Sequence, residues 1–210
     1  MMRDLREPTR VGDAAGKQAR QAEIRTIDDV PARYRNYPGF EALTRDPAHR
    51  DDACPKVIRE AMAAAEADLS GAVKGPVTRP DDSPYIDFFD GDGYPFDVKT
   101  PLSPKSGDKW SFDAWRNAQT VLSQLDKDHP NKLTGENQPV AVLLDTTYIT
   151  SDDRKALWHE LMKQSKEDRS VLKRIFEVNV KLDDQPARMK QNMKLSGAVL
   201  SAALLKNNGR

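Results

Sequence analysis

The stretch that decides the fold is residues 85–99, which read YIDFFDGDGYPFDVK. Two runs rich in aromatic and β-branched residues flank the sequence Asp90-Gly91-Asp92-Gly93, a turn signal typical of antiparallel strand pairs. The stretch therefore predicts a β-hairpin. Along its returning strand alternate side chains share a face, so Asp97 and Lys99 project together while Val98 points into the core.

The turn also brings a second carboxylate to this face. A hairpin centred near residues 91–92 places Asp87 roughly opposite Asp97, within reach of a cross-strand neighbour. Two facing carboxylates repel each other, and a buried pair is tolerated only when it is protonated or neutralised by a cation. Mg²⁺ or Mn²⁺ binds carboxylate oxygens and keeps further coordination positions for a phosphate oxygen and an attacking water. The pattern thus predicts a metal site, with Lys99 stabilising charge that grows on phosphorus.

Two other interpretations of these residues stay open. The hairpin could be a surface feature in which Lys99 forms a salt bridge with a neighbouring carboxylate. Asp90 and Asp92 resemble a calcium loop in composition, but the twelve-residue spacing with a terminal Glu is missing. We favour the catalytic interpretation.

Helical and strand patterns surround the hairpin. Before it, Pro55 opens a helix to about Leu69 with apolar residues on one face. After it, the patterns predict a helix from Ser111 to about Lys127, a buried strand over residues 139–145, a helix capped by Thr150 or Ser151, and a strand over residues 176–182. This order predicts an α/β (α+β) fold with three layers, in which helices flank a mixed sheet.

The two ends of the chain are predicted to differ from this core. Residues 1–54 lack a sustained apolar period and are predicted to form an irregular arm. Its Tyr34, Tyr37 and Phe40 either pin the arm to the domain, which we favour, or stack on a nucleic-acid strand. Residues 55–184 are predicted to form the core domain, and residues 185–210 a C-terminal helix, chiefly over 187–206.

Composition narrows the function classes. Thirty-three basic and thirty-three acidic residues balance, so affinity for a polyanion must come from local patches. A single cysteine, Cys54, excludes an internal disulfide, and the three histidines lack the i, i+4 partners of a zinc site. No apolar run of about 18 residues is present, and charges near the N-terminus are unlike a signal peptide, so we expect a soluble protein without a membrane span.

In its middle part the chain resembles the PD-(D/E)XK nuclease superfamily. Asp87 matches the first acidic residue of that motif, and Asp97-Val98-Lys99 matches its acidic-x-Lys element after a hairpin. The predicted elements over residues 55–149 also resemble the family's αβββαβ core, with one strand to be sought within residues 72–78. The resemblance implies a restriction-endonuclease-like fold, a nuclease core over residues 55–184, and an Mg²⁺-dependent endonuclease.

The resemblance implies further site residues. The family often adds a Glu from the first helix as a metal ligand. At about 100° per residue, Glu66 falls at the edge of that helix's apolar face while Glu60 points nearly opposite, so Glu66 is chosen. Gln119, at the border of the next helix's apolar stripe, is added as a polar site residue. Lys105 and Lys109 are candidate phosphate contacts, unless they belong to a plain solvated loop.

Residues 88–101 look most like the nuclease domains at the C-termini of bacterial polymorphic and contact-dependent inhibition toxins. That likeness implies delivery by a larger secreted protein into a target-cell cytoplasm, attack on DNA or tRNA, and a cognate immunity protein. DNA is the preferred substrate on the family resemblance. The alternatives are a tRNA-cleaving ribonuclease on the same fold, or a non-catalytic module that binds nucleic acid or protein.

Overall fold

The computed structural model describes residues 24–45, 53–80, 83, 85–105 and 107–182. They form a mixed α+β fold. Its helices are α1 (Ala32–Arg35), α2 (Phe40–Leu43), α3 (Pro55–Leu69), α4 (Ala114–Leu125) and α5 (Ser151–Gln164), with 3-10 turns at Ile27–Asp29 and Arg169–Arg174. Its strands are β1 (Phe88–Phe89), β2 (Pro95–Lys99), β3 (Asp128–Pro130), β4 (Asn137–Pro139), β5 (Ala141–Asp145) and β6 (Ile175–Val178).

The central sheet is mixed, in the order β1-β2-β5-β6. Strands β1 and β2 are antiparallel, whereas β2, β5 and β6 run parallel. Strands β3 and β4 form a separate antiparallel ribbon. At the β1 edge, Thr78 forms an antiparallel bridge with Phe89. Thr78 is the last residue of the segment 72–78, in which one further strand was predicted.

Strand β5 is buried on both sides because helices cover both faces of the sheet. Ala141 and Leu143 belong to a core cluster with α3, whereas Val142 and Leu144 join a second cluster with α4 and α5. A strand buried on both faces reads as a continuous apolar run, which is the pattern in the sequence. The prediction of a mixed sheet flanked by helices is confirmed.

Residues 24–45, part of the segment predicted as an irregular arm, contain a 3-10 turn and two four-residue helices and pack against the domain. The Tyr34 hydroxyl is buried, donates to Glu66 at 2.8 Å and accepts from the Lys181 N–H at 2.7 Å. The Tyr37 hydroxyl donates to Asp68 at 2.6 Å and accepts from a backbone N–H. These aromatic side chains therefore pin the segment to α3 rather than face a ligand.

Two element boundaries differ from the sequence patterns in a way that hydrogen bonds explain. Helix α4 begins at Ala114, because Asp113 rather than Ser111 accepts the first free N–H, that of Arg116, at 2.9 Å. The apolar run 139–145 is broken at Val140, whose N–H donates to the Lys127 carbonyl instead of continuing one strand. The predicted helix 187–206 lies outside the described residues. Within the described ranges, no helix is long and apolar enough to cross a membrane.

Candidate active site

The carboxylate of Asp90 stabilises the turn of the hairpin. Oδ1 of Asp90 accepts the N–H groups of Asp92 and Tyr94, both at 2.9 Å. Gly93 has a φ of 75°, which favours glycine. Asp92 forms an ion pair with Lys74. The calcium-loop interpretation is weakened, because Asp90 serves the turn and Asp92 is paired with Lys74.

The register of the hairpin brings Asp87 beside Asp97. Phe88 pairs with Phe96 as the last pair of the ladder, and Asp87 comes next, close enough for its charge to act on Asp97. The Asp87 N–H donates to the Phe96 carbonyl at 2.8 Å, and its carboxylate accepts the Val98 N–H at 2.6 Å. The Arg79 guanidinium lies 3.7 Å from the same carboxylate. Asp87 is thus fixed against the backbone of β2.

Asp97 and Lys99 share a face of β2, whereas Val98 is buried in the core on the other side. Asp97 is only 7% exposed, and the Lys99 ammonium lies 2.5 Å from its carboxylate. Burial raises the pKa of Asp97 to about 6; Lys99 opposes this shift and the charge of Asp87 adds to it. The three groups that the sequence singled out therefore lie together.

Glu60, not Glu66, is the acid of α3 that faces this cluster. Glu60 is 3% exposed, and its Oε1 lies 2.9 Å from the Lys56 ammonium one turn earlier. Burial and, to a smaller extent, the charge of Asp87 raise the pKa of Glu60 to about 7, although Lys56 and Lys99 oppose the shift. Asp87 and Lys99 therefore act electrostatically on Glu60.

Glu66 has a different environment. It is 2% exposed, accepts from the Tyr34 hydroxyl, and forms ion pairs with Arg33 at 3.0 Å and Lys181 at 3.6 Å. The two glutamates are six residues and so about 240° apart around the helix. The choice of Glu66 assumed a single buried face, but α3 is also covered by residues 24–45. The signal that was missed is the Lys56–Glu60 spacing of i, i+4, which is typical of an ion pair on a helix.

Gln119 is exposed and does not line the cavity beside Lys99, where the structure instead has Asn117 and Thr120 of the same helix. The reason is that Ala118 and Val121 point into the core, which turns Gln119 outward. Lys105 and Lys109 are exposed in the loop that follows β2. Their role as phosphate contacts stays a prediction.

The donors available to a metal are two adjacent carboxylates. Among the residues that the structure describes, no group of three or more His, Cys, Asp or Glu side chains is close enough to hold an ion. Mg²⁺, however, is commonly bound through one or two carboxylates together with substrate phosphates and water. Asp87 and Asp97 supply such an all-oxygen pair.

The raised pKa values predict how stability depends on pH. A carboxyl that binds its proton more tightly when folded stabilises the protein at low pH, and this contribution is lost as pH rises through the folded pKa. With Asp97 near 6 and Glu60 near 7, we expect the metal-free protein to lose on the order of 1–3 kcal/mol of unfolding free energy between pH 5 and 8. Urea unfolding in the presence of chelator, at pH 5 and at pH 8, measures this loss of unfolding free energy.

The control for this prediction is Glu60→Gln, which removes one of the two titrating groups and should flatten the profile between pH 6 and 8. Glu177 acts in the opposite direction because its pKa is lowered. It therefore titrates below the ordinary pKa of a glutamate, which lies outside the range from pH 5 to 8. A wild-type protein that gains stability from pH 5 to 8 would contradict the assignment of raised pKa values.

No protein-family model, no curated protein and no solved structure matches this chain.

Proposed function

We propose that the protein is a metal-dependent nuclease that hydrolyses phosphodiester bonds, with a PD-(D/E)XK site and DNA as its substrate. One observation carries the proposal: the Asp87 carboxylate is bound to the Val98 N–H next to Asp97 and acts electrostatically on it, and Lys99 lies 2.5 Å from Asp97 on the same face. A metal-binding acid pair beside a cation is suited to cleavage of a phosphodiester, because negative charge grows on the phosphate as the bond breaks.

Each residue of the cluster has a part in this proposal. Asp87 and Asp97 hold Mg²⁺ or Mn²⁺, which when bound polarises the phosphate and lowers the pKa of a bound water. Lys99 stabilises the charge of the attacked phosphate. The Val98 N–H and Arg79 orient the Asp87 carboxylate, and the carboxylate of Glu60 adds to the negative field that favours a cation.

The loop after β2 and the start of α4 supply a surface suited to nucleic acid. Trp110 is 51% exposed and Trp115 is 52% exposed, which is unusual for indole rings outside a binding surface. Exposed cations flank them in the sequence, Lys105 and Lys109 before Trp110 and Arg116 after Trp115. Aromatic rings stack on bases while cations pair with phosphates. In a chain without net charge, such a local patch provides the affinity that a global field does not.

The proposed biological role is that of an antibacterial toxin domain. It follows from the likeness of residues 88–101 to contact-dependent inhibition nucleases. A larger secreted protein would deliver the domain, and a cognate immunity protein would cover the acid cluster in the producing cell. Co-expression with such a partner should remove the toxicity of the chain in bacteria.

A digestion assay tests the activity directly. Purified protein is incubated with supercoiled plasmid, genomic DNA and total tRNA, each with Mg²⁺, Mn²⁺ or chelator. We expect the plasmid to be nicked or linearised only when a divalent ion is present. Cleavage of tRNA alone would replace DNA by RNA as the substrate. Cleavage of none of them, together with no calorimetric binding of either ion, would overturn the proposal in favour of a non-catalytic binding module.

A further inference from the structure

A cavity of about 250 Å³ opens beside the acid cluster, at the carboxyl ends of β2 and β5. Its apolar floor is formed by Val121, Leu144 and Leu157, which come from α4, β5 and α5. Its polar rim includes Glu60 and Lys99. Because Lys99 belongs both to this rim and to the ion pair with Asp97, a group in the cavity lies next to the proposed site of bond cleavage.

Glu60 brings an unsatisfied acceptor to the cavity. Its Oε1 is paired with Lys56, but its Oε2 is fully buried and has no hydrogen-bond donor among the described residues. A buried acceptor without a donor costs free energy, so such an atom indicates a ligand or water that donates to it. Because Glu60 lines the cavity, a rotation of its carboxylate brings this oxygen to a ligand with an N–H group at its edge.

The size and chemistry of the cavity together restrict the ligand. Pockets for drug-sized molecules measure about 300–1,000 Å³, so this one is suited to a ligand no larger than one ring or two fused rings. A flat ring packs on the aliphatic floor, and its polar edge meets Glu60 and the Asn117 amide, whose Nδ2 is held by the Asp113 carbonyl. A nucleobase has these properties, and nucleobases outside the stack are held by apolar packing and hydrogen bonds to their edges.

We propose that the cavity binds one unstacked nucleobase that carries an amino group, adjacent to the phosphate that is cut. This inference rests on the proposed function. The exocyclic amino group of adenine, guanine or cytosine donates to Oε2 of Glu60, whereas uracil and thymine offer only a ring N–H set between two carbonyl oxygens, which a carboxylate repels. Since extruding a base from a duplex costs free energy, mismatched and single-stranded substrates are preferred over a perfect duplex.

Fluorescence of 2-aminopurine tests the proposal without any cleavage step. This base carries an amino group and emits more strongly when it leaves the stack. Oligonucleotides that contain it at one position, single-stranded or in a mismatched duplex, are titrated with the wild-type protein in chelator. We expect a rise in emission, and we expect affinity to fall about tenfold when purine without an amino group replaces it, as for a lost hydrogen bond to a charged group.

A matched pair of variants on α4 locates the effect. Thr120 lines the cavity and is exposed, and its hydroxyl bonds only within its own helix, so Thr120→Phe should fold normally and fill the opening. Gln119→Phe adds the same ring one residue away, outside the cavity. Asn117→Ala is a second variant at the rim. We expect Thr120→Phe to abolish the rise in emission and Asn117→Ala to reduce it, while Gln119→Phe retains it.

The outcomes separate this proposal from the nuclease proposal. Equal responses from Thr120→Phe and Gln119→Phe, or equal affinity for the base without an amino group, would overturn the base-binding proposal. Metal-dependent cleavage by a wild-type protein that gives no change in emission would overturn it while leaving the nuclease intact. A response that depends on Thr120 in a protein that cleaves nothing would instead support the cavity and refute the nuclease.

Discussion

Asp97→Asn is expected to abolish cleavage and at the same time to stabilise the metal-free protein near pH 8. The amide has nearly the same shape but carries no charge, so the loss of a metal ligand should lower the rate at least about a thousandfold. Because burial raises the pKa of Asp97 to about 6, its ionised form is destabilised in the folded protein at pH 8. Removing that charge should raise the unfolding free energy by on the order of 1–2 kcal/mol.

Asp92→Asn provides the control for this experiment. It is the same chemical change in the same hairpin, but Asp92 is exposed and pairs with Lys74 rather than with the site. Cleavage should therefore persist in Asp92→Asn, and stability should change by less than about 0.5 kcal/mol. Plasmid nicking and urea unfolding measure both properties. A variant Asp97→Asn that cuts as fast as the wild type would remove Asp97 from the catalytic site.

The hairpin could be predicted from the sequence because its information is local. A short turn of Asp and Gly residues fixes the register of the two strands, and the register in turn fixes which residues face one another. This is why Asp87, Asp97 and Lys99 are found close together in the structure. The alternation of side chains along β2 correctly assigned Val98 to the core for the same reason.

The choice between Glu60 and Glu66 could not be made from the sequence of α3 alone. A helical wheel gives the angle between two side chains but not what covers each face of the helix. Here residues 24–45 bury a second face of α3 through contacts such as the Tyr34–Glu66 hydrogen bond. That segment has no periodic pattern, so its packing depends on tertiary contacts. Gln119 was misassigned for a related reason, because the tertiary packing of α4 turns Ala118 and Val121 into the core and leaves Gln119 exposed.

Glu60→Gln and Glu66→Gln are expected to have opposite effects, although they make the same change on one helix. Glu60→Gln removes a buried charge beside the acid pair, so we expect cleavage and Mg²⁺ affinity each to fall about tenfold or more, the equivalent of about 1.4 kcal/mol. Its stability at pH 8 should be equal to or higher than that of the wild type, because burial raises the pKa of Glu60 to about 7.

Glu66→Gln should instead unfold more easily and cut normally. Its carboxylate joins Tyr34 to Arg33 and to Lys181 after β6, and removing one partner of a buried charged network costs about 1–3 kcal/mol. Urea unfolding, calorimetric Mg²⁺ titration and plasmid cleavage per folded molecule separate the two variants. If Glu66→Gln lost cleavage at full stability while Glu60→Gln cut normally, Glu66 would return to the site, and the position of α3 against the sheet would have to differ from the one described.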